Sequence, residues 1–227
     1  MLASHRRGMD VYDMTNDRQG SDTPEQLRAE IVRLQKENEK LRASNRRWMR
    51  IAGTDDLTGL PNKIYFTTAL LPQVVSQANA SGQSFVCVIV APDNLGDINQ
   101  RFGREGGDQV VEGLAAFLRE NMEKDEKIVH FDGSNFVIII PDGTDDARKR
   151  RTRQIRARVV SRHFECGGAA VTLTLSMGTV IREPNAPGEE VKTEDVADDI
   201  IRRLSSALDR AKKQGGDQVV DDDGGGS

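Results

Sequence analysis

Apolar and polar positions change period along this chain, and each change of period marks an element. From Leu27 onward, Leu27, Ile31, Leu34, Asn38, Leu41, Asn45, Trp48 and Ala52 recur in alternating steps of four and three. That is a heptad seam, with Leu27, Leu34, Leu41 and Trp48 at d and Ile31, Asn38, Asn45 and Ala52 at a. Thr23-Pro24-Glu25-Gln26 supplies its start: a capping hydroxyl, proline in the first turn, then acidic and amide side chains. Asparagine at a costs stability but selects a parallel, in-register dimer, because two amides pair only when aligned. Glu37 at g faces Arg42 at e of a second helix, a favourable charge pair. The seam predicts a homodimeric coiled coil over 23–52. The competing reading is one amphipathic helix docked on its own domain.

After Gly53 the pattern changes. Residues 64–80 read as a helix, and the unbroken apolar run within 84–91 reads as a buried strand. Helices are predicted over 93–102 and 109–121, separated by Gly103, Gly106 and Gly107. Two β-rich runs, 127–131 and 136–140, flank Asp132-Gly133-Ser134-Asn135, a hairpin signal in which glycine accepts the positive φ of a tight turn. A helix over 144–162, a strand over 170–180, a helix over 194–214 and a short strand over 218–220 complete the order. This β-α-α-β-β-α-β-α-β sequence predicts a ferredoxin-like α+β domain over 53–220, with its helices on one face of a sheet that contains antiparallel strands. Residues 1–22 are polar and aperiodic and read as disordered, and 221–227 as a flexible acidic tail.

Composition narrows the class. With 227 residues and 37% apolar content, one ordinary core plus an extended element is expected. The net charge of −4 gives no overall pull toward nucleic acid or anionic lipid. Cys87 and Cys166 lack metal-ligand or CxxC neighbours and read as structural thiols in a reducing, cytoplasmic setting. No apolar run reaches the roughly 18 residues of a membrane span, and no signal peptide is recognisable at the start.

Four blocks then carry a resemblance. Asp56-Leu-Thr-Gly-Leu-Pro-Asn-Lys63, Asn99-Gln-Arg-Phe-Gly-Arg-Glu-Gly-Gly-Asp108, Leu173-Thr-Leu-Ser-Met-Gly178 and Ala207-Leu-Asp-Arg-Ala-Lys212 stand in order. They match the family patterns DxLTGLxNR, NDxxGHxxGD, TxSxG and ALYxAK. From about Asp55 to Val220 the chain therefore resembles a GGDEF domain, the module of diguanylate cyclases that condenses two GTP into cyclic di-GMP. The resemblance implies a nucleotidyl-cyclase-type fold, divalent metal bound by acidic side chains, and a place in bacterial cyclic-di-GMP signalling.

The block that gives the family its name departs from the pattern. R-x-G-G-D-E-F reads His130-Phe-Asp-Gly-Ser-Asn-Phe136, so Asp132, Gly133, Ser134, Asn135 and Phe136 form the signature, with Ser134 and Asn135 at its acidic pair. The family's first metal aspartate falls on Ala91, its phosphate-binding lysine on Gly96, and the arginine of K-x-x-G-R-N on Gly216. Lys212 of that last block is kept as a candidate phosphate contact. Mg²⁺ is a hard ion that requires carboxylate oxygens, and phosphoryl transfer relies on it to offset triphosphate charge. The expectation is loss of the cyclase reaction, with no metal and no cofactor; a centre rebuilt from Asp93 and Asp132 is the alternative.

Other features pull in different directions. The resemblance implies that Asn99 and Asp108 read the guanine edge, where an amide offers donor and acceptor and a carboxylate accepts from ring nitrogens. The plain alternative is that they cap a turn and a helix. The product-inhibition motif RxxD falls on Glu123-Lys-Asp-Glu126, whose terminal acids oppose a bis-phosphate. The basic run 148–158, with Arg148, Arg151 and Arg158, reads either as a solvated helix face or as a patch for an acidic partner.

The expected function is thus a catalytically inactive GGDEF-like adaptor, dimeric through its coiled coil, acting on a signalling protein that the sequence does not name. A guanine-nucleotide sensor, for GTP or cyclic di-GMP, and a cyclase with an altered metal centre are the rivals. No membrane or nucleic-acid partner is expected.

Overall fold

The structure, a computed structural model, describes residues 23–141, 143–186 and 191–222. The predicted disordered segment 1–22 and the tail from 223 lie outside the described residues. The chain divides into two compact units, Met1–Arg46 and Arg47–Ser227.

Helix α1 (Pro24–Ala52) starts as predicted. Gln26 N–H donates to Thr23 Oγ1 (3.2 Å), and Thr23 N–H donates to Gln26 Oε1 (2.8 Å), a reciprocal capping box. Leu27, Ile31, Leu34 and Leu41 of the heptad seam are exposed along it, as is Asn38. The side chains of Asn45 and Trp48 lie outside the described residues.

The second unit is built on a five-stranded sheet of order β2-β3-β1-β6-β7. Its strands are β1 (Phe85–Pro92), β2 (Lys127–Asp132), β3 (Asn135–Ile140), β6 (Leu175–Arg182) and β7 (Val219–Asp222). Neighbours are antiparallel except β6 and β7, which run parallel. Every residue of β1 is buried. Its two alternating sets enter different cores: Val86, Val88 and Val90 in one, Phe85, Cys87, Ile89 and Ala91 in the other.

Each core needs its own cover. On the first face lie α4 (Leu95–Glu120) and α5 (Asp145–Val160), through Val110, Leu114, Leu118, Ile155 and Val159. On the second lie α3 (Leu71–Ser81) and α6 (Thr193–Lys213), through Leu71, Val75, Ile200, Leu204 and Leu208. The predicted α+β sheet flanked by helices is present, but the helices occupy both faces rather than one. A strand with no polar side on either alternation cannot leave a face to water. Gly178 of β6 shows how close the second layer sits, since a Cβ there would lie 2.7 Å from Leu208 N.

Three local readings change. Residues 64–80 are helical but composite: α2 (Lys63–Tyr65), a π-helical turn (Phe66–Leu70) and α3 follow without a break. The two helices predicted around Gly103 are present within α4, divided where Gly103 adopts a non-helical φ 74° and ψ 178°, but the second starts directly after that residue. Gly106 and Gly107 are helical rather than loop, and serve close packing: a Cβ on Gly106 would meet Phe102 Cβ at 2.6 Å and Cys166 Sγ at 2.9 Å. Finally, the predicted strand 170–180 divides. Its first part, β5 (Ala169–Val171), pairs with β4 (Phe164–Cys166) as a separate hairpin turned at Gly167 and Gly168, both at positive φ.

Helix α5 corrects the solvated-face reading of the basic run. Thr144 Oγ1 caps it by accepting from Ala147 N–H. Arg151 is 1% exposed and grips Glu126, itself 2% exposed at its side chain, with Nε to Oε1 at 2.7 Å and Nη2 to Oε2 at 2.9 Å. Its Nη2 also donates to the Asn121 carbonyl (2.5 Å). Arg148 is buried too, and binds Asp145, Asp221 and Thr179. Arg158 alone of the three candidate patch residues is exposed, donating to Asn121 Oδ1 (2.9 Å). Arg148 and Arg151 therefore serve the interior through these ion pairs.

Removing one member of a buried, bidentate ion pair strands the other charge in the interior. Glu126→Ala is expected to lower stability by about 3–5 kcal/mol, whereas Arg158→Ala is expected to stay within about 0.5 kcal/mol. Urea denaturation of both variants checks the contrast.

Candidate functional site

The chemistry-bearing residues gather where β1 ends and the β2–β3 hairpin turns. The register Val90↔Phe136 brings the turn alongside the last residues of β1. The loop is two residues long: Asp132 pairs with Asn135, and Gly133 lies at φ 52°. This is the tight turn that the Asp-Gly step predicts. Asn135 Nδ2 donates to Asp132 Oδ1 (2.6 Å), and Lys63 Nζ stands 3.8 Å from Asp132 Oδ2. The one carboxylate on the turn is thus turned back upon its own hairpin.

His130, at the family's arginine position, anchors the base of the turn. Its Nε2 lies 2.9 Å from the Gly133 carbonyl and its Nδ1 2.8 Å from Asp55 Oδ1, while the ring stacks on Phe136 at 5.0 Å. Its N–H donates to the Pro61 carbonyl (2.8 Å). Asp55 also accepts from Thr58 N–H (2.9 Å) and Thr58 Oγ1–H (2.8 Å). Asn62 completes the tie, donating to the Ala52 carbonyl (2.7 Å) while its Oδ1 caps α2 through Tyr65 N–H (3.1 Å). The block Asp55–Asn62 is therefore a clasp between the end of α1 and the signature turn. Neither Asp55 nor His130 stood among the predicted site residues; the adjacency of Asp55 to the Asp56-Leu-Thr-Gly block was the available signal.

Ala91 is fully buried beside Ser176 and offers no ligand atom. Asp93, one residue past the strand, is already engaged. Its carboxylate accepts from Thr174 Oγ1 (2.8 Å), from Ser176 Oγ, and from Asp217 N–H (2.9 Å). Gly216, at φ 74°, lies so near that an added Cβ would stand 3.0 Å from Asp93 Oδ1. A side chain at that position would be strained by the positive φ and would press on the Asp93 carboxylate. Asp93 and Asp132 are both at the expected sheet end, but each is held by its own partners. No group of three or more His, Cys, Asp or Glu side chains suited to a metal occurs among the described residues. The donor set that Mg²⁺ requires does not match what this sheet end presents.

Asn99 and Asp108 lie on α4 on either side of the Gly103 kink, and both are exposed. Neither stands at a helix start: the first helix begins after Asn94, and Asp108 lies within the second, well past the Gly103 break. Asn99 packs over Gly107, where a Cβ would come within 1.8 Å of its Oδ1. Lys212 is exposed in the last turn of α6, and Gly96 in the first turn of α4. Cys87 is buried in β1, its thiol pushed up to about 12 by burial, which makes it inert. Cys166 is buried with Sγ 3.4 Å from the Gly106 carbonyl.

Burial pushes the Asp55 carboxyl up, but the hydrogen bonds from His130 and Thr58 outweigh it and hold the group below its ordinary 3.8. A carboxyl depressed in the folded state contributes stability above its unfolded pKa, and that contribution is lost as pH falls through the folded value. Asp55→Asn is expected to lower stability at pH 7 by about 1–3 kcal/mol and to flatten the acid dependence below about pH 4. Guanidinium denaturation at pH 7 and pH 3 measures both; parallel losses at the two pH values would contradict the assignment.

The profile of the family described as diguanylate cyclase, GGDEF domain matches residues 52–218. Diguanylate cyclase DgcP of Pseudomonas aeruginosa is 30% identical over 166 residues, covering 73% of this chain and 23% of its own length. Response regulator PleD of Caulobacter vibrioides is 27% identical over 202 residues, covering 87% and 42%. The chain thus spans less than half the length of these curated relatives. Among solved structures, the FimX GGDEF domain of Pseudomonas aeruginosa superposes with a TM-score of 0.65 at 22% identity, over 75% of this chain and 99% of that one. The coiled coil and GGDEF domain of DgcB from Caulobacter crescentus, in complex with c-di-GMP, gives 0.61 at 24% identity, over 86% and 99%. Diguanylate cyclase SiaD, in complex with its activator SiaC, gives 0.67 at 22%, over 87% and 74%. These likenesses place the sheet and its helices among GGDEF folds, and with the profile match across most of its length, this chain belongs to the GGDEF domain family.

Proposed function

We propose that the chain is a GGDEF domain without cyclase activity, serving as a signalling adaptor on a dimeric coiled coil. The observation that carries the reading is the acid set at the sheet end. Ser134 and Asn135 occupy the signature pair, Ala91 is a buried methyl group, and Asp93 is already bound by Thr174, Ser176 and the Asp217 amide. Charge on a triphosphate cannot be offset by neutral oxygens, and the basic positions are Gly96 and Gly216. What remains is a folded domain with a heptad-patterned helix in front of it. Its output is then contact with another protein of the cyclic-dinucleotide pathway.

Supporting a second reading, Asn99 and Asp108 are both exposed near the Gly103 kink, free to meet a guanine edge. Under that reading the domain holds a guanine nucleotide without turning it over.

Incubation of the chain with GTP and Mg²⁺ or Mn²⁺ is expected to yield no cyclic di-GMP, and Ser134→Asp with Asn135→Glu is expected not to restore it, because Ala91 and Gly96 remain. Product from the parent chain removes the adaptor reading. Calorimetric titration of GTP separates the two: binding that Asp108→Ala abolishes establishes the sensor, and a flat trace leaves the adaptor.

For the coiled coil, Leu34→Lys with Leu41→Lys is expected to convert a dimer into a monomer in light scattering, since two charges at d face each other across the seam. An unchanged mass means that the heptads do not drive association.

A further inference from the structure

Between α5 and the edge strand β7 lies a cavity of about 300 Å³, apart from the sheet end that carries the family's signature. Its walls include Arg148, Lys149, Arg153 and Arg156 from the helix, and Gln218 and Asp221 from the strand side. Lys149, Arg153 and Arg156 recur at helical spacing and so share one face of α5. The carboxylates that answer these cations are few. Asp221 binds the buried Arg148, Asp145 is shared between Arg148 and Lys149, and Asp217 accepts from Arg156 at 2.8 Å. Arg153 is exposed and has no ion pair among the described residues. Four cations therefore meet three carboxylates in a protein whose net charge is −4.

A second observation points the same way. Arg148 is 5% exposed, and its Nε is buried without a hydrogen-bond partner; the Nε of Arg156 is in the same condition. A buried N–H without an acceptor carries a desolvation cost that an added acceptor relieves. Both residues line this one cavity, each with its Nε just beneath the surface.

We propose that the cavity is an anion site for the phosphoryl group of a small phosphorylated metabolite. A phosphoryl group brings three acceptor oxygens in a tetrahedral array, which suits planar guanidinium forks better than a single ammonium does. Arg153 is the residue with charge to spare, Arg156 and Lys149 flank it, and Arg148 supports the floor through its hold on Asp221. The volume sits at the lower end of ligand cavities, enough for a compact phosphorylated group and too small for a folded partner. The site shares no residue with Asn99, Asp108 or the hairpin turn, so it stands independently of the adaptor reading. It assigns to α5 a role that the interior ion pairs of Arg148 and Arg151 leave open.

Isothermal titration of the full chain with inorganic pyrophosphate at low ionic strength tests this. One saturable site is expected, weakened by about tenfold or more in Arg153→Glu. Arg153 is exposed and has no ion pair among the described residues, so this variant is expected to keep the parent's thermal unfolding. Arg162→Glu, on the separate basic surface beside Phe117, and Asp108→Ala are expected to bind as the parent does. An unsaturable trace, equal affinity in Arg153→Glu, or loss in Arg162→Glu instead would each overturn the assignment.

Discussion

Burial of both faces of β1 is the constraint from which the rest of the domain follows. Eight residues without one exposed side chain require a helical layer above and another below, and neighbours on both edges. Those layers and neighbours leave polar side chains nowhere to go along the strand itself. They collect at its end, where Pro92 gives way to Asp93, and where the β2–β3 turn arrives by antiparallel register with β3. A sheet organised in this way concentrates its chemistry at one rim. Which side chains stand on that rim then decides what the domain can do.

On this rim the carboxylates are committed to structure. Asp93 binds two hydroxyls and the Asp217 amide, so it fastens the loop after α6 to the end of β1. Asp132 is held by Asn135 within its own turn. Asp55 braces His130, and His130 braces the Gly133 carbonyl. Each of these contacts satisfies a charge or a donor that a metal site would leave available for a cation. The GGDEF fold is kept, and these three acids hold its loops in place. Retention of fold with altered site chemistry is consistent with the general separation between scaffold and site.

Helix α5 teaches a related lesson about charge. Its sequence is dominated by arginine, and composition alone suggests a surface in water. Arg151 instead lies in the interior against Glu126, and Arg148 against Asp145 and Asp221. Arg153 and Arg158 on the same helix remain exposed. Arg151 and its identical neighbours two and seven residues on thus have opposite environments. The determining factor is whether a carboxylate from a distant part of the chain arrives to meet them.

Much of the architecture was legible from local pattern. The Thr23 capping box, the unbroken apolar run of β1, the Asp-Gly step of the hairpin and the Thr144 start of α5 each encode their element within a few residues. The identities Ser134, Asn135 and Ala91 were also fixed there, and with them the missing carboxylates. Placement of helices on both faces, the helical conformation and close packing of Gly106 and Gly107, the β4–β5 hairpin and the burial of Arg148 and Arg151 came only with tertiary structure. Local sequence sets backbone preference and ligand type, because those depend on a residue and its neighbours. Burial and pairing depend on atoms from segments far apart in the chain, such as Glu126 meeting Arg151 or Asp217 meeting Asp93, and only the folded chain brings them together.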